Sequence, residues 1–87
     1  MKTIIFDERC AAWTKDIDYD LMFLETQGSY IKEIFVHRGY IYLNQIYEYF
    51  GVEWNPNLVN PCYRLTSGQL RFEFEPVSSA AIMVKIC

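Results

Sequence analysis

The spacing of hydrophobic and polar positions changes several times along the chain, and each change marks an element. KTIIF, residues 2 to 6, is short and rich in β-branched side chains, which predicts a strand. From Asp18 onward, Leu24, Ile31, Ile34 and Phe35 fall along one helical stripe led by Leu21, with Glu25, Lys32 and Glu33 outside it. This predicts a helix over 19–37 with Asp18 as its N-cap. His37 and Arg38 then sit at the negative end of the dipole, and Gly39 provides the stop. Gly28-Ser29 interrupts the middle of the stripe and predicts a bend or a late start, because glycine costs about 1 kcal/mol in a helix interior.

Tyr40 to Leu43 reads as a short β-prone link. Asn44 is the expected cap of a second helix through Phe50 that buries Leu43, Ile46, Tyr47 and Phe50, and Gly51 is its left-handed terminator. The prolines and asparagines of NPNLVNP, residues 55 to 61, break regular structure. A hairpin is predicted next: CYRL, a turn at TSGQ, then LRFEFEP, with Leu70, Phe72 and Phe74 on one face and Arg71, Glu73 and Glu75 on the other. The last strand, from about Ala81, is almost wholly apolar and is expected to be central or covered on both faces. Residues 7 to 15 have no clear period, although Trp13 needs partial cover.

The fold expected is a single α+β domain over residues 1–87, with two helices packed on a three- to four-stranded, mainly antiparallel sheet. Helices come first and strands fill the C-terminal half, with the opening strand free to join the same sheet. A chain of 87 residues has room for one hydrophobic core. At 52% apolar and 17% aromatic residues it lies far from the composition of a disordered chain.

Charge narrows the partners. The net charge is −3 and the 8 basic residues are scattered, so the stripe of cations that binds phosphate backbones is missing and nucleic acid is disfavoured. No stretch approaches the roughly 18 apolar residues of a membrane span, and MKTIIFDERC lacks the features of a signal peptide. A cytosolic protein, or one packed inside something assembled in a cytosol, is expected, with no membrane contact.

Candidate chemistry is sparse. Cys10, Cys62, Cys87 and His37 match the ligand count of a zinc site but not its close pairing, and free, mostly buried thiols fit better. Around Gly39, Ile41 and Gln45 the spacing resembles a calcium loop, yet Ile34, Val36 and Arg38 stand where oxygens are needed. Asp16, Asp18 and Asp20 have loop spacing but lack the turn glycine and the terminal glutamate, and read better as helix-start carboxylates. His37 has no partner for general base work and reads as a helix-end residue. No metal, no cofactor and no catalytic residue are expected. LNQIYEYFGV followed by CYRLTSGQLRFEF could form the first helix and wing of a winged-helix DNA binder. Pro61 would then stand inside the recognition helix, which leaves a degenerate version as the alternative.

The segment RGYIYLNQIYEYFGV resembles part of a group of small uncharacterised phage and prophage proteins, through Arg38, Gly39, Tyr40, Leu43, Asn44, Gln45, Ile46, Tyr47 and Gly51. The resemblance implies phage or prophage origin and transfers no catalytic residue; VEWNPNLVNP departs from the pattern. With seven tyrosines and six phenylalanines in so short a chain, the core cannot absorb every ring. Tyr40, Tyr42, Tyr49, Trp54 and Trp13 are the expected contacts with a protein partner from phage or host. Self-association is the other expectation, with AIMVKIC pairing across a two-fold axis if it forms a sheet edge.

Overall fold

A computed structural model describes residues 2–57 and 59–87. The chain runs β1 (Lys2–Phe6), α1 (Ile17–Arg38), β2 (Tyr40–Tyr42), α2 (Leu43–Phe50), β3 (Cys62–Arg64), a 3₁₀ turn (Leu65–Ser67), β4 (Phe72–Pro76) and β5 (Ile82–Ile86). The class is α+β, as expected, but strands precede, separate and follow the helices rather than filling only the C-terminal half. They also form two antiparallel sheets instead of one, ordered β1-β5-β4 and β2-β3.

In the larger sheet Ile4 faces Val84 and Phe6 faces Ile82, while Phe74 faces Val84 from the other side. Alternation sends Ile4, Phe6, Ile82, Val84 and Ile86 into the core, where they meet Leu24, Ile31 and Phe35 of α1 and Ile46 and Phe50 of α2. Thr3, Ile5, Met83, Lys85, Glu73 and Glu75 share the opposite face, on which Lys85 Nζ lies 3.9 Å from Glu75 Oε2. The apolar β5 is central, as its composition predicts. Both its sides are taken, so AIMVKIC is not an edge and offers no two-fold pairing.

The predicted hairpin between CYRL and LRFEFEP does not form. β3 pairs with β2 instead, Tyr42 opposite Cys62 and Tyr40 opposite Arg64, and the 3₁₀ turn with buried Leu70 carries the chain to the other sheet. β4 makes its hairpin with β5, closed by Val77 N–H to the Ala81 carbonyl at 3.0 Å. CYRL and LRFEFEP therefore do not form the wing of a winged helix: their strands belong to different sheets.

α1 begins earlier than its stripe predicts, because Asp16 rather than Asp18 is the cap: Asp16 Oδ1 accepts from the N–H groups of Asp18 and Tyr19 at 3.1 and 3.2 Å. The helix runs unbroken through Gly28, which does not delay its start. Gly28 is buried, and a Cβ there would stand 3.1 Å from Phe74 Cζ and 3.3 Å from Phe72 Cδ2, so its bare backbone lets β4 lie close to the helix. The helix ends on Gly39 at φ +82°, whose N–H reaches the Phe35 carbonyl at 2.8 Å.

α2 starts at Leu43 with Tyr42 at the cap position, so Asn44 lies within the first turn instead of capping it. Gln45 Oε1 accepts the Tyr42 N–H at 3.0 Å. The proline-asparagine stretch supplies the rest: the Pro61 carbonyl takes the Leu43 N–H at 3.0 Å and Asn60 Oδ1 takes the Asn44 N–H at 2.9 Å. Leu58 of that stretch lies outside the described residues. Gly51 ends α2 at φ +71°, as expected, and packs so tightly that a Cβ would fall 2.8 Å from Ala12 Cβ.

Candidate protein-interaction surface

Strand alternation builds an exposed pair of aromatic rings. In β2, Ile41 is fully buried against the core, so Tyr40 and Tyr42 must point outward, and they are 39% and 41% exposed. Their rings meet edge to face, with centroids 6.1 Å apart. The Arg38 guanidinium lies 4.6 Å from the centre of the Tyr40 ring. Directly across the ribbon from Tyr40 stands exposed Arg64. The result is a shelf of two tyrosines with Arg38 against the Tyr40 ring and Arg64 opposite Tyr40 in the ribbon.

The other predicted contact residues do not join this shelf. Tyr49 is half-buried and packs edge to face on Tyr30 of α1 at 5.4 Å. Trp54 is half-buried and leans edge-on against buried Tyr47 at 5.0 Å. Trp13 is half-buried, and its indole Nε1–H donates to the Ala80 carbonyl at 2.6 Å, tying the loop after β1 to the β4–β5 turn. Of the predicted set, then, Tyr40 and Tyr42 act together and the three others stand apart. Arg38 and Arg64 are additions. Arg38 was detectable two positions before Tyr40, whereas Arg64 joins only through the β2–β3 pairing.

Trp54 borders a different feature, a groove of about 560 Å³ that runs along β1 and the Val52–Pro56 segment. Within it Arg9 grips Asp7 twice, Nε to Oδ1 at 3.2 Å and Nη2 to Oδ2 at 3.0 Å, and this holds the Asp7 carboxyl below its ordinary range. Cys10, at the groove wall, has its thiol pushed up by burial, which keeps it protonated and slow to react.

The residues weighed for metal binding part company. Asp16 caps α1, Asp18 is exposed, and Asp20 is 1% exposed, where it accepts from the Thr14 hydroxyl at 2.6 Å and the Thr14 N–H at 3.1 Å. Cys10, Cys62 and Cys87 are free thiols, but only Cys10 is buried; Cys62 is half-buried and Cys87 is exposed, against the expectation of mostly buried thiols. Among the described residues no three His, Cys, Asp or Glu side chains gather as a metal site, and no helix is long and apolar enough to cross a membrane.

Comparison with protein-family models, with curated proteins and with solved structures finds no match to this chain.

Proposed function

We propose that this chain is a non-enzymatic protein-binding module, an accessory or structural protein of a phage or prophage. The observation that carries the binding role is the shelf of Arg38, Tyr40, Tyr42 and Arg64. Tyrosine and arginine are the residues that most often anchor protein interfaces, because each combines a large apolar area with a directional polar tip. Here they sit on a short ribbon with Ile41 fixed in the core beneath them, so the rings are held in place before any partner arrives. Two cations beside the rings favour a partner surface that is apolar at its centre and acidic at its rim. Phage origin rests on the resemblance of residues 38–52 alone, and a cytosolic or virion location follows from that origin.

Affinity capture from a phage-induced host, with the wild type beside Tyr40→Ser/Tyr42→Ser, tests the reading. One protein enriched by the wild type and lost from the variant, at unchanged circular dichroism, is the expected result. Retention of the same proteins by both would remove the shelf from any binding role. A steeply salt-dependent shift of duplex DNA, lost in Arg38→Ser/Arg64→Ser, would transfer the surface to nucleic acid.

A further inference from the structure

β1 is the edge of the larger sheet, and the bonding parity shows which of its backbone groups are free. Arg71 and Cys87 exchange both backbone hydrogen bonds, at 3.2 and 2.9 Å, and Val77 N–H meets the Ala81 carbonyl at 3.0 Å. Bonded and unbonded pairs alternate along an antiparallel ladder. Residues 81, 83, 85 and 87 therefore turn their backbone groups to β4, and Ile82, Val84 and Ile86 turn theirs to β1. With the observed register the bonded pairs of β1 are Lys2–Ile86, Ile4–Val84 and Phe6–Ile82. Thr3 and Ile5 are left with N–H and C=O directed away from the sheet. The Ile5 carbonyl receives only a weak contact from Cys10 Sγ at 3.8 Å; the others have no partner among the described residues.

Both edges of a sheet need protection from stray pairing, commonly by proline or charge. β4 has both: Pro76 falls at an outward-facing position and lacks an N–H, and Glu73 and Glu75 add charge. β1 has no proline, and its one charge, Lys2, stands at its first residue. Instead this edge opens onto the groove lined by Tyr47, Val52 and Trp54, whose volume of about 560 Å³ suits a bound segment. Asp7 is neutralised by Arg9, which leaves Lys2 and Glu53 as the groove's charges without an ion-pair partner among the described residues.

We propose that this groove binds an extended segment of a partner protein as an added strand antiparallel to β1, apolar at alternate positions and acidic at its C-terminal end. The free N–H groups of Thr3 and Ile5 and the Thr3 carbonyl specify a strand backbone, spaced as a ladder requires, with the weak Cys10 contact at the Ile5 carbonyl to be displaced. Tyr47, Val52 and Trp54 receive the apolar side chains. An antiparallel strand finishes beside Lys2, whose ammonium takes the carboxylate, while Glu53 on the wall takes a basic side chain. The inference rests on the reading of the chain as a protein-binding module, but it uses a surface separate from the tyrosine shelf.

A display library of random dodecapeptides, panned on the whole protein, provides the probe; the enriched peptide is then titrated as a synthetic, fluorescently labelled ligand. Thr3→Pro removes an outward N–H and no bond to β5, and should weaken binding about tenfold, the cost of one lost hydrogen bond at the upper end of its range. Tyr40→Ser/Tyr42→Ser should leave the affinity unchanged. In the wild type, amide exchange at Thr3 and Ile5 should slow when peptide is added, a readout that stands even if Thr3→Pro fails to fold. Peptides without alternating apolar positions, no peptide enriched at all, or unchanged exchange at these two amides would overturn the inference. Protection of both amides that rises with protein concentration alone would overturn it too, since a second copy would then occupy the edge. Loss of peptide binding only in the tyrosine variant would sink the groove while leaving the module reading intact.

Discussion

The two sheets are made of similar residues and are held in opposite ways. In β1, β5 and β4 each strand spans five residues, and alternation drives one side of every strand into a shared core, so burial sets the register. In β2 and β3 the strands span three residues and Ile41 alone is fully buried. Too short to specify its own pairing, this ribbon is bracketed from outside: Leu65 N–H meets the Gly39 carbonyl at 2.9 Å at one end, and Leu43 N–H meets the Pro61 carbonyl at 3.0 Å at the other. A sheet fixed by burial commits its side chains to the interior. A ribbon fixed at its ends leaves Tyr40, Tyr42 and Arg64 exposed to solvent.

The contrast can be broken most severely where the two parts share support. Phe50 is fully buried and meets Phe72 at 5.3 Å and Phe74 at 6.0 Å, coupling the helix that follows the ribbon to the edge of the larger sheet. Phe50→Ala should lower stability by about 3–5 kcal/mol, as aromatic truncations in packed cores do, seen as one cooperative melt at lower temperature. Two separate melts would mean that ribbon and sheet are independent.

The left-handed glycines should rank next, and unequally. Gly39→Ala meets nothing within 4 Å and should cost only the conformational penalty of φ +82°, about 1–2 kcal/mol. Gly51→Ala adds to a similar penalty a contact at 2.8 Å with Ala12 Cβ and at 3.2 Å with the Ala12 N, and should be the worse of the pair by chemical denaturation. Equal losses would show that the Ala12 turn yields freely. Asn60→Ala removes the acceptor for Asn44 N–H and tests the bracketing of the ribbon directly: a loss of about 1 kcal/mol is expected. Faster amide exchange should then appear along β2 and not along β1. Gly28→Ala should change least, within about 1 kcal/mol, because the gain in helix propensity opposes the displacement of the Phe72 and Phe74 rings. A large loss would show those rings to be rigidly seated.

Local signals were legible and distant pairings were not. KTIIF, the apolar stripe of α1, the positive φ of Gly39 and Gly51, and the central place of the last strand all follow from spacing or from one residue's backbone preference. The caps slipped by a position or more because Asp16 competes with Asp18, and because loop residues Asn60 and Pro61 do the work assigned to Asn44. CYRL looked like half of a hairpin, since apolar patterning cannot say which strand a short segment will join. The same limit applied to function. Tyr40 and Tyr42 could be marked as outward-facing, but Arg64 reaches the shelf only through pairing, and the β1 groove needs the Val52–Pro56 segment brought against that strand.

The place of β5 also fixes a timetable for synthesis. Lys2–Phe6 leaves the ribosome before either helix, and its partner Ile82–Ile86 is translated only after β4. Until then an uncharged run, Thr3 to Phe6, waits as a sticky nascent strand while the helices form behind it. Slow decoding or early termination before residue 82 would therefore release a chain with no centre to its larger sheet, the form most prone to aggregate.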